Sequence, residues 1–185
     1  MVSRNGDSRT VKLGYYNHGH YYRATNGEIY VSFDVAIWAD RFVELCDDFV
    51  VFLNRGSDTI IEDVDIANSF YPLNKSVKLV DIGKQRPHWQ KMFGLGLDTL
   101  AISRATAALD WIIIQGPTPQ QNVVAKAVHS NCKIAVLLVG LWRSWPKQMY
   151  RAPGLGNVFK EQLINVLKWY NQIQTRVLLN NHSDL

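Results

Sequence analysis

Short apolar runs alternate with amphipathic segments along most of this 185-residue chain, and this alternation restricts its fold more than any other feature. Six runs have the length and the Val, Ile and Leu content of buried strands. Segments with a helical spacing of apolar residues lie between several of them. The predicted strands cover residues 12–16, 48–53, 77–82, 110–115, 133–139 and 175–180.

Helical periodicity is found in four segments. The last of these has a clear start signal, because Asn157 precedes it as an N-cap residue and Glu161 lies in its first turn. Residues 55–76 fit the alternation poorly, and we expect an extra strand or hairpin there. The predicted helices lie within residues 35–45, 97–108, 123–128 and 159–173.

Strands that are apolar throughout and alternate with helices are typical of a parallel sheet that is covered on both faces. We therefore predict an α/β fold with a Rossmann-like, doubly wound, mostly parallel sheet and helices on both faces. The length suits one compact domain, residues 1–185. An apolar content of 47% and six tryptophans exclude a disordered chain.

Charge and hydropathy indicate in which cellular compartment the chain is expected. The formal net charge of +4 is a mild excess that suits an anionic ligand or a membrane surface. The first ten residues lack an apolar leader, and the longest apolar run, KIAVLLVGLW, is about half of what a bilayer crossing needs. Cys46 and Cys132 lack a metal-ligand spacing and are predicted to be reduced thiols. We expect a cytoplasmic chain, with peripheral membrane contact as an open alternative.

The loops that follow the predicted strands point to a ligand site. Ligands of open α/β sheets bind outside the carboxyl ends of the strands. Nearly every predicted strand is followed by glycine and by a hydrogen-bonding or cationic side chain, although any single loop can be polar and rich in glycine for conformational reasons alone. The candidate cleft residues are Asn17, His18, Gly19, His20, Arg55, Gly116, Pro117, Thr118, Trp142 and Arg143.

The segment GYYNHGHYYRATNGE, residues 14–28, is predicted to be a polar loop after the first strand. Gly19 allows close approach of the backbone to an anionic or sugar group, and the neighbouring His18 and His20 titrate near physiological pH. Metal chelation by the two histidines would need further ligands, which no Cys or His cluster offers. Ordinary surface histidines are the alternative.

Other motifs narrow the possible functions. Asp63 and Asp65 have the DxD spacing of some cation-binding nucleotide-sugar enzymes, but the pattern is short, and a solvated turn or strand edge explains it better. We expect no metal. GxGxxG in the first strand-to-helix turn, a P-loop and GxSxG are absent, so that the ordinary dinucleotide, P-loop and serine-hydrolase classes have no support.

Aromatic and cationic residues alternate in VGLWRSWPKQMYRAPGLGN, residues 139–157. Trp142 and Trp145 lie beside Arg143 and Lys147, a pattern that suits a membrane interface or the apolar face of an acceptor sugar. An ordered loop that packs its own aromatic rings is the alternative.

Taken in order, several segments resemble the N-terminal half of a GT-B glycosyltransferase, in particular the retaining enzymes of family 4. These segments are YYNHGHYY, SFDVAIWADRFVELCD, DFVVFLNR and LDWIIIQGPTPQQNVVAKAVHSNCKIAVLLVGLW. The strands in ALDWIIIQGP and CKIAVLLVGLW resemble a strand pair of that family, and TRVLLNNHSDL resembles its last N-domain strand. The resemblance covers most of the chain and rests on patterns of residues.

The resemblance implies a hexosyltransferase that uses a nucleotide-sugar donor and a glycan or lipid-linked acceptor, with no metal or other cofactor and no nucleic acid partner. Such enzymes have two Rossmann-like domains. The N-terminal domain mostly binds the acceptor, and the C-terminal domain binds the donor and carries an E-x7-E carboxylate pair. This chain contains neither that pair nor a second Rossmann unit. It therefore resembles the acceptor-side domain, with the donor-binding domain missing, and is expected to be inactive in isolation.

The resemblance also assigns a position to the first glycine loop. In GT-B enzymes this loop faces the cleft between the domains, and Asn17, His18 and Gly19 match it. Family members often have a functional histidine near the loop after the fifth strand, where this chain has residues 140–143, GLWR. Arg143 is a possible phosphate ligand there, because guanidinium binds phosphate oxygens bidentately.

Two other classes of function stay open. A stand-alone Rossmann-like or flavodoxin-like module would bind a nucleotide or flavin at the same strand ends without chemistry. A protein-interaction subunit would use the Trp and Arg segment as a docking surface.

Overall fold

The computed structural model describes residues 11–56, 70–87, 90–91, 93–116, 118–138 and 173. Within these residues the chain has an α/β fold with a mixed sheet of seven strands and three helices, which confirms the predicted α/β class. The elements in chain order are β1 (Lys12–Arg23), β2 (Ile29–Val31), α1 (Phe33–Val43), β3 (Asp48–Arg55), β4 (Tyr71–Pro72), β5 (Lys78–Lys84), α2 (Thr99–Thr106), β6 (Trp111–Gly116), α3 (Gln121–Ala127) and β7 (Lys133–Leu138).

Five strands pair in parallel in the order β5, β3, β1, β6, β7, and β2 and β4 extend the sheet by antiparallel pairing. Strand β3 lies along one side of β1 and pairs with residues 12–16 and 20–21 of that strand. On the other side, β6 pairs with residues 13–16 and β2 with residues 21–23. Residues 17–20 of β1 therefore lie between the end of β6 and β2.

Two apolar clusters form the core. Tyr15 packs in one cluster with Val35 of α1, and Tyr16 packs in the other with Ile102 of α2 and Val124 of α3. Neighbouring residues of a strand point to opposite faces of the sheet, so that Tyr15 and Tyr16 belong to different layers. All five side chains are buried. Burial of each large apolar side chain contributes about 1.5–3 kcal/mol.

The first two helices begin after residue types that often precede a helix. Ser32 precedes α1 with an extended backbone, and its carbonyl oxygen accepts a hydrogen bond from the Ala36 amide at 3.0 Å. Asp98 precedes α2, and its side chain accepts from the Ala101 amide at 2.9 Å. These helices and α3 agree with three of the four predicted helices. The fourth lies outside the described residues except for Ile173, which is helical, and the predicted strand 175–180 lies wholly outside them.

The prediction of a loop directly after residue 16 was wrong, because β1 continues to Arg23. Tyrosines favour strands, and Tyr21 is buried in the same cluster as Tyr15. The chain turns only after Arg23, where Asn26 and Gly27 form an Asn-Gly pair and Gly27 has a φ of 84°. An Asn-Gly pair is a strong hairpin signal, and here it precedes the antiparallel strand β2.

The remaining fold predictions have mixed outcomes. The extra strand expected within residues 55–76 is β4, whereas residues 57–69 lie outside the described part. Cys46 and Cys132 are both free thiols, as predicted. Among the described residues, no helix is both long and apolar enough to cross a bilayer.

Candidate ligand site at the carboxyl edge of the parallel strands

A bulge interrupts β1 at the residues that the sequence singled out. Tyr16 pairs with Phe52 and His20 with Asn54, so that three residues of β1 face a single residue of β3. The three are residues 17–19, and the Asn17 side-chain oxygen accepts a hydrogen bond from the Gly19 amide at 2.7 Å. A β-carbon at position 19 would lie 2.9 Å from that oxygen. Bulges end regular pairing and redirect side chains, and they are frequent beside binding sites.

Asn17 is the centre of a buried hydrogen-bond network. Its amide nitrogen donates to the side-chain oxygen of Gln115 on β6, and the Tyr15 hydroxyl donates to the same oxygen. The Asn17 amide nitrogen also lies 3.5 Å from a carboxylate oxygen of Asp34 on α1. Burial raises the pKa of Tyr15 to about 12, against the hydrogen bond from Asn17 and with the help of Asp34. The hydroxyl therefore stays protonated at neutral pH, and the network joins β1, β6 and α1.

Lys91 places a cation against the bulge. The side chain is 5% exposed, and its ammonium group donates a hydrogen bond to the His18 carbonyl oxygen at 3.2 Å. Burial lowers the pKa of Lys91 to about 8, which leaves most of the population charged at pH 7. Burial also lowers the pKa of His20, and the positive charge of Lys91 lowers it further. The bulge thus has a buried ammonium group on one side and a mainly neutral imidazole next to it in the chain.

The ring of His20 is held among aromatic neighbours. It packs edge-on against Tyr22 with ring centres 5.1 Å apart, and its ring centre lies 5.7 Å from that of Phe70. A β-carbon at Gly56 would lie only 2.8 Å from the His20 ring. Gly56 therefore makes room for the imidazole, and the ring is fixed in its orientation.

Arg55 ends β3 and lies beside a carboxylate. Its Nε atom is 3.6 Å from an Asp81 oxygen on β5, and the Tyr21 hydroxyl donates to the same oxygen at 3.0 Å. The other Asp81 oxygen accepts from the Gly83 amide at 2.8 Å. The charge of Arg55 is thus partly balanced within the sheet.

Gly116 and Thr118 shape the turn after β6. The Thr118 amide donates to the side-chain oxygen of Gln121 at 3.0 Å, and a β-carbon at Gly116 would lie 2.7 Å from that oxygen. Gln121 is completely buried. A larger residue at position 116 would therefore displace the side-chain oxygen of Gln121. Pro117, Trp142 and Arg143, the other candidates from the sequence, lie outside the described residues.

Buried polar side chains are concentrated at this edge of the sheet. Among the described residues, Thr106 is the one buried polar side chain that lies elsewhere. Burial of a polar group is unfavourable unless it is hydrogen-bonded, so these side chains need partners at this edge. The buried polar residues of the edge are Asn17, Asn54, Lys91, Gln115, Thr118, Gln120 and Gln121.

Sequence reasoning missed Lys91 and Gln115 as site residues. It noted Asn54 at the end of the second predicted strand but did not place it among the cleft candidates. Gln115 had the same signal, since it is a polar residue near the end of an otherwise apolar strand. Lys91 had none, because it lies in the connection between β5 and α2 and reaches the bulge only through tertiary packing.

Metal ligation was not expected from the sequence. Asp63 and Asp65 lie outside the described residues. Within the described ranges, no three His, Cys, Asp or Glu side chains converge as metal ligands would.

Comparison of the chain with protein-family models, with curated proteins and with solved structures finds no match.

Proposed function

We propose that this chain is the N-terminal, acceptor-side domain of a GT-B glycosyltransferase, which transfers a hexose from a nucleotide sugar to a glycan or lipid-linked acceptor. The observation that carries the proposal is the bulge at residues 17–19, beside the carboxyl end of β6. The chain runs outward through β1, β3 and β5 and then returns to β6 and β7 on the other side of β1. Ligands of open α/β sheets bind at such a reversal of strand order.

The proposal includes a doubly wound, Rossmann-like arrangement. Support comes from the parallel order β5, β3, β1, β6, β7 and from the two apolar clusters. One cluster includes residues of α1, and the other includes residues of α2 and α3. Helices on both faces of the sheet are what this topology requires.

The chemistry of retaining transfer agrees with a polar edge of this kind. The leaving diphosphate needs cations or amide donors, and the acceptor hydroxyl must be positioned against the anomeric carbon. The buried edge offers the Lys91 ammonium group and side-chain amides such as Asn54. One domain supplies half of such a cleft. We therefore expect the 185-residue chain alone to bind ligands weakly and to transfer no sugar.

The experiment is a sugar-transfer assay with radiolabelled nucleotide sugars, run on the product of the complete open reading frame and on the 185-residue chain alone. We expect transfer by a product, or by a complex with the product of a neighbouring gene, that contains a second Rossmann unit with an E-x7-E pair. Transfer by the 185-residue chain alone would overturn the half-cleft proposal. A frame that ends at Leu185, with no partner gene for a donor domain, would overturn the enzyme proposal.

Matched variants locate the activity at the bulge. Asn17→Ala removes the amide that bonds the buried Gln115, whereas Asn26→Ala removes an exposed amide that bonds the Glu28 backbone in the same local geometry. We expect loss of transfer in the first variant and retention in the second. Equal activity of both variants, with folding checked by circular dichroism, would show that the bulge is not part of the cleft.

The same edge favours a second candidate function, a stand-alone nucleotide-binding module. The observation behind it is that this chain alone supplies both a cation, Lys91, and buried side-chain amides at one edge of the sheet. Micromolar binding of a nucleotide by the chain alone, measured by calorimetry, would favour this candidate, because a half-cleft lacks most of the donor contacts.

A further inference from the structure

Lys91 is a buried charge whose ammonium group has one neutral partner among the described residues. Lys91 is 5% exposed, and this partner is the His18 carbonyl oxygen at 3.2 Å. Within the described ranges, no carboxylate forms an ion pair with it. Lysine is almost never buried without a counter-charge.

The ammonium group has donors to spare. It carries three N–H groups, and the His18 carbonyl oxygen accepts from one of them. Within the described part of the chain, no other hydrogen bond from the ammonium group of Lys91 is formed. A buried ammonium group with unused N–H donors can bind an acceptor that carries negative charge.

A second buried polar group lies at the same bulge. Asn54 is the residue of β3 that pairs with His20, directly after the bulge, and it is 1% exposed. Both of its amide atoms are buried, and neither has a hydrogen-bond partner among the described residues. Buried side-chain amides in native proteins nearly always have partners. Asn54 thus pairs with His20 at one end of the bulge, and the ammonium group of Lys91 contacts the backbone of His18 within it.

We propose that Lys91 is a phosphate-binding residue, which holds a phosphoryl group of the ligand against the bulge of β1. The ammonium group supplies the charge, and residues 17–19 of the bulge lack regular ladder partners on β3. Phosphate suits the site because a compact ammonium group binds its oxygens as a point charge.

The identity of the phosphate carrier rests on the proposed function. The two sources are the diphosphate of a nucleotide sugar and a phosphorylated acceptor. Binding of phosphate to Lys91 can be measured without any sugar transfer, so that this inference and the proposed function can fail separately.

The experiment measures binding of inorganic pyrophosphate by nuclear magnetic resonance, with the side-chain carbon next to each lysine nitrogen observed. In the wild-type chain we expect the Lys91 resonance to shift with pyrophosphate, while that of Lys75, which is 92% exposed, stays in place. Lys91→Met keeps the length of the side chain and removes the charge. We expect it to weaken pyrophosphate binding by about tenfold or more, and Lys75→Met to leave binding unchanged.

A structural role for Lys91 gives a different pattern. If the ammonium group serves only to satisfy the His18 carbonyl, its resonance will not respond to pyrophosphate, and the inference is overturned without any variant. Equal binding by Lys91→Met and wild type also overturns it. If Lys91→Met does not fold, the wild-type titration alone decides.

Two further probes separate the sources of phosphate. Uridine diphosphate and glucose 6-phosphate are each titrated against the wild-type chain. A shift of the Lys91 resonance at lower concentration with uridine diphosphate supports the donor as the source, and the reverse order supports a phosphorylated acceptor. A response to neither probe overturns the inference.

Discussion

The amide nitrogen of Asn17 donates a hydrogen bond to the side-chain oxygen of Gln115, a residue 98 positions later in the chain. This bond joins β1 to β6, the two parallel strands on either side of the reversal in strand order. Both side chains are buried, and the Tyr15 hydroxyl donates to the same Gln115 oxygen. The bulge of β1 is thus fixed to its neighbouring strand by polar contacts, next to the position where we propose that ligand binds.

Asn17→Ala is predicted to destabilise the fold by about 1–3 kcal/mol, because it leaves the buried Gln115 oxygen and the Gly19 amide short of partners. The exposed Asn26 makes the same kind of local bond to the Glu28 amide at 2.8 Å. Asn26→Ala should therefore change the unfolding free energy by about 0.5 kcal/mol or less. Urea denaturation measures both variants, and equal losses would contradict the importance of the buried network.

Gly83→Ala is predicted to lower the free energy of unfolding by about 2–4 kcal/mol, because the backbone has a positive φ there and the added β-carbon would overlap a neighbouring atom. Gly83 has a φ of 108°, and a β-carbon there would lie 2.0 Å from the Gly96 carbonyl oxygen. Gly27 has a φ of 84° but open space around it. Gly27→Ala should therefore show the backbone cost alone, about 1–2 kcal/mol. Thermal and urea unfolding of both variants separate the two effects, and equal costs would refute the overlap.

The lowered pKa of Lys91 predicts that the stability of the fold depends on pH. Its pKa falls from the ordinary 10.5 to about 8 in the folded chain. Between these values the folded state releases the proton while the unfolded state keeps it, so that stability rises with pH by up to about 1.4 kcal/mol per pH unit. The free energy of unfolding of wild type relative to Lys91→Met should therefore increase from pH 8 to about 10.

Other groups act in the opposite direction over part of that range. Burial raises the pKa of Cys132 to about 11 and, with Asp81, that of Tyr21 to about 12. These groups are present in both proteins, and the difference between wild type and Lys91→Met removes their contribution. A difference that stays flat across the range would show that Lys91 is not a buried ammonium group.

The two cysteines should react at different rates with a thiol reagent at pH 8. Cys132 is 6% exposed, and burial raises its pKa, with a further contribution from Asp110. Cys46 is only partly buried. The thiolate is the reactive form, so that Cys46→Ser should leave one slow thiol and Cys132→Ser one faster thiol. Release of the coloured product of Ellman's reagent gives both rates, and a faster reaction at Cys132 would contradict the burial.

Five of the predicted strands and three of the predicted helices agree with the structure, because short apolar runs and segments with a helical spacing of apolar residues are local patterns in the sequence. The apolar pattern did not predict β2, which has three residues, or the full length of β1. Polar residues such as Asn17 and His18 suggested a loop. The strand continues because residues beyond the bulge find partners: residues 20–21 pair with β3, and residues 21–23 pair with β2.

The sequence by itself determined the α/β class and the choice of residues 17–20 as candidate site residues, because both depend on residue types that lie close together in the chain. Tertiary structure alone decided that residues 17–19 form a bulge, that Gln115 is the partner of Asn17 and that Lys91 lies against His18. The physical reason is distance along the chain. The 98 positions between Asn17 and Gln115, and the 73 between Lys91 and His18, are closed only when the strands and helices pack into one sheet and its covering layers.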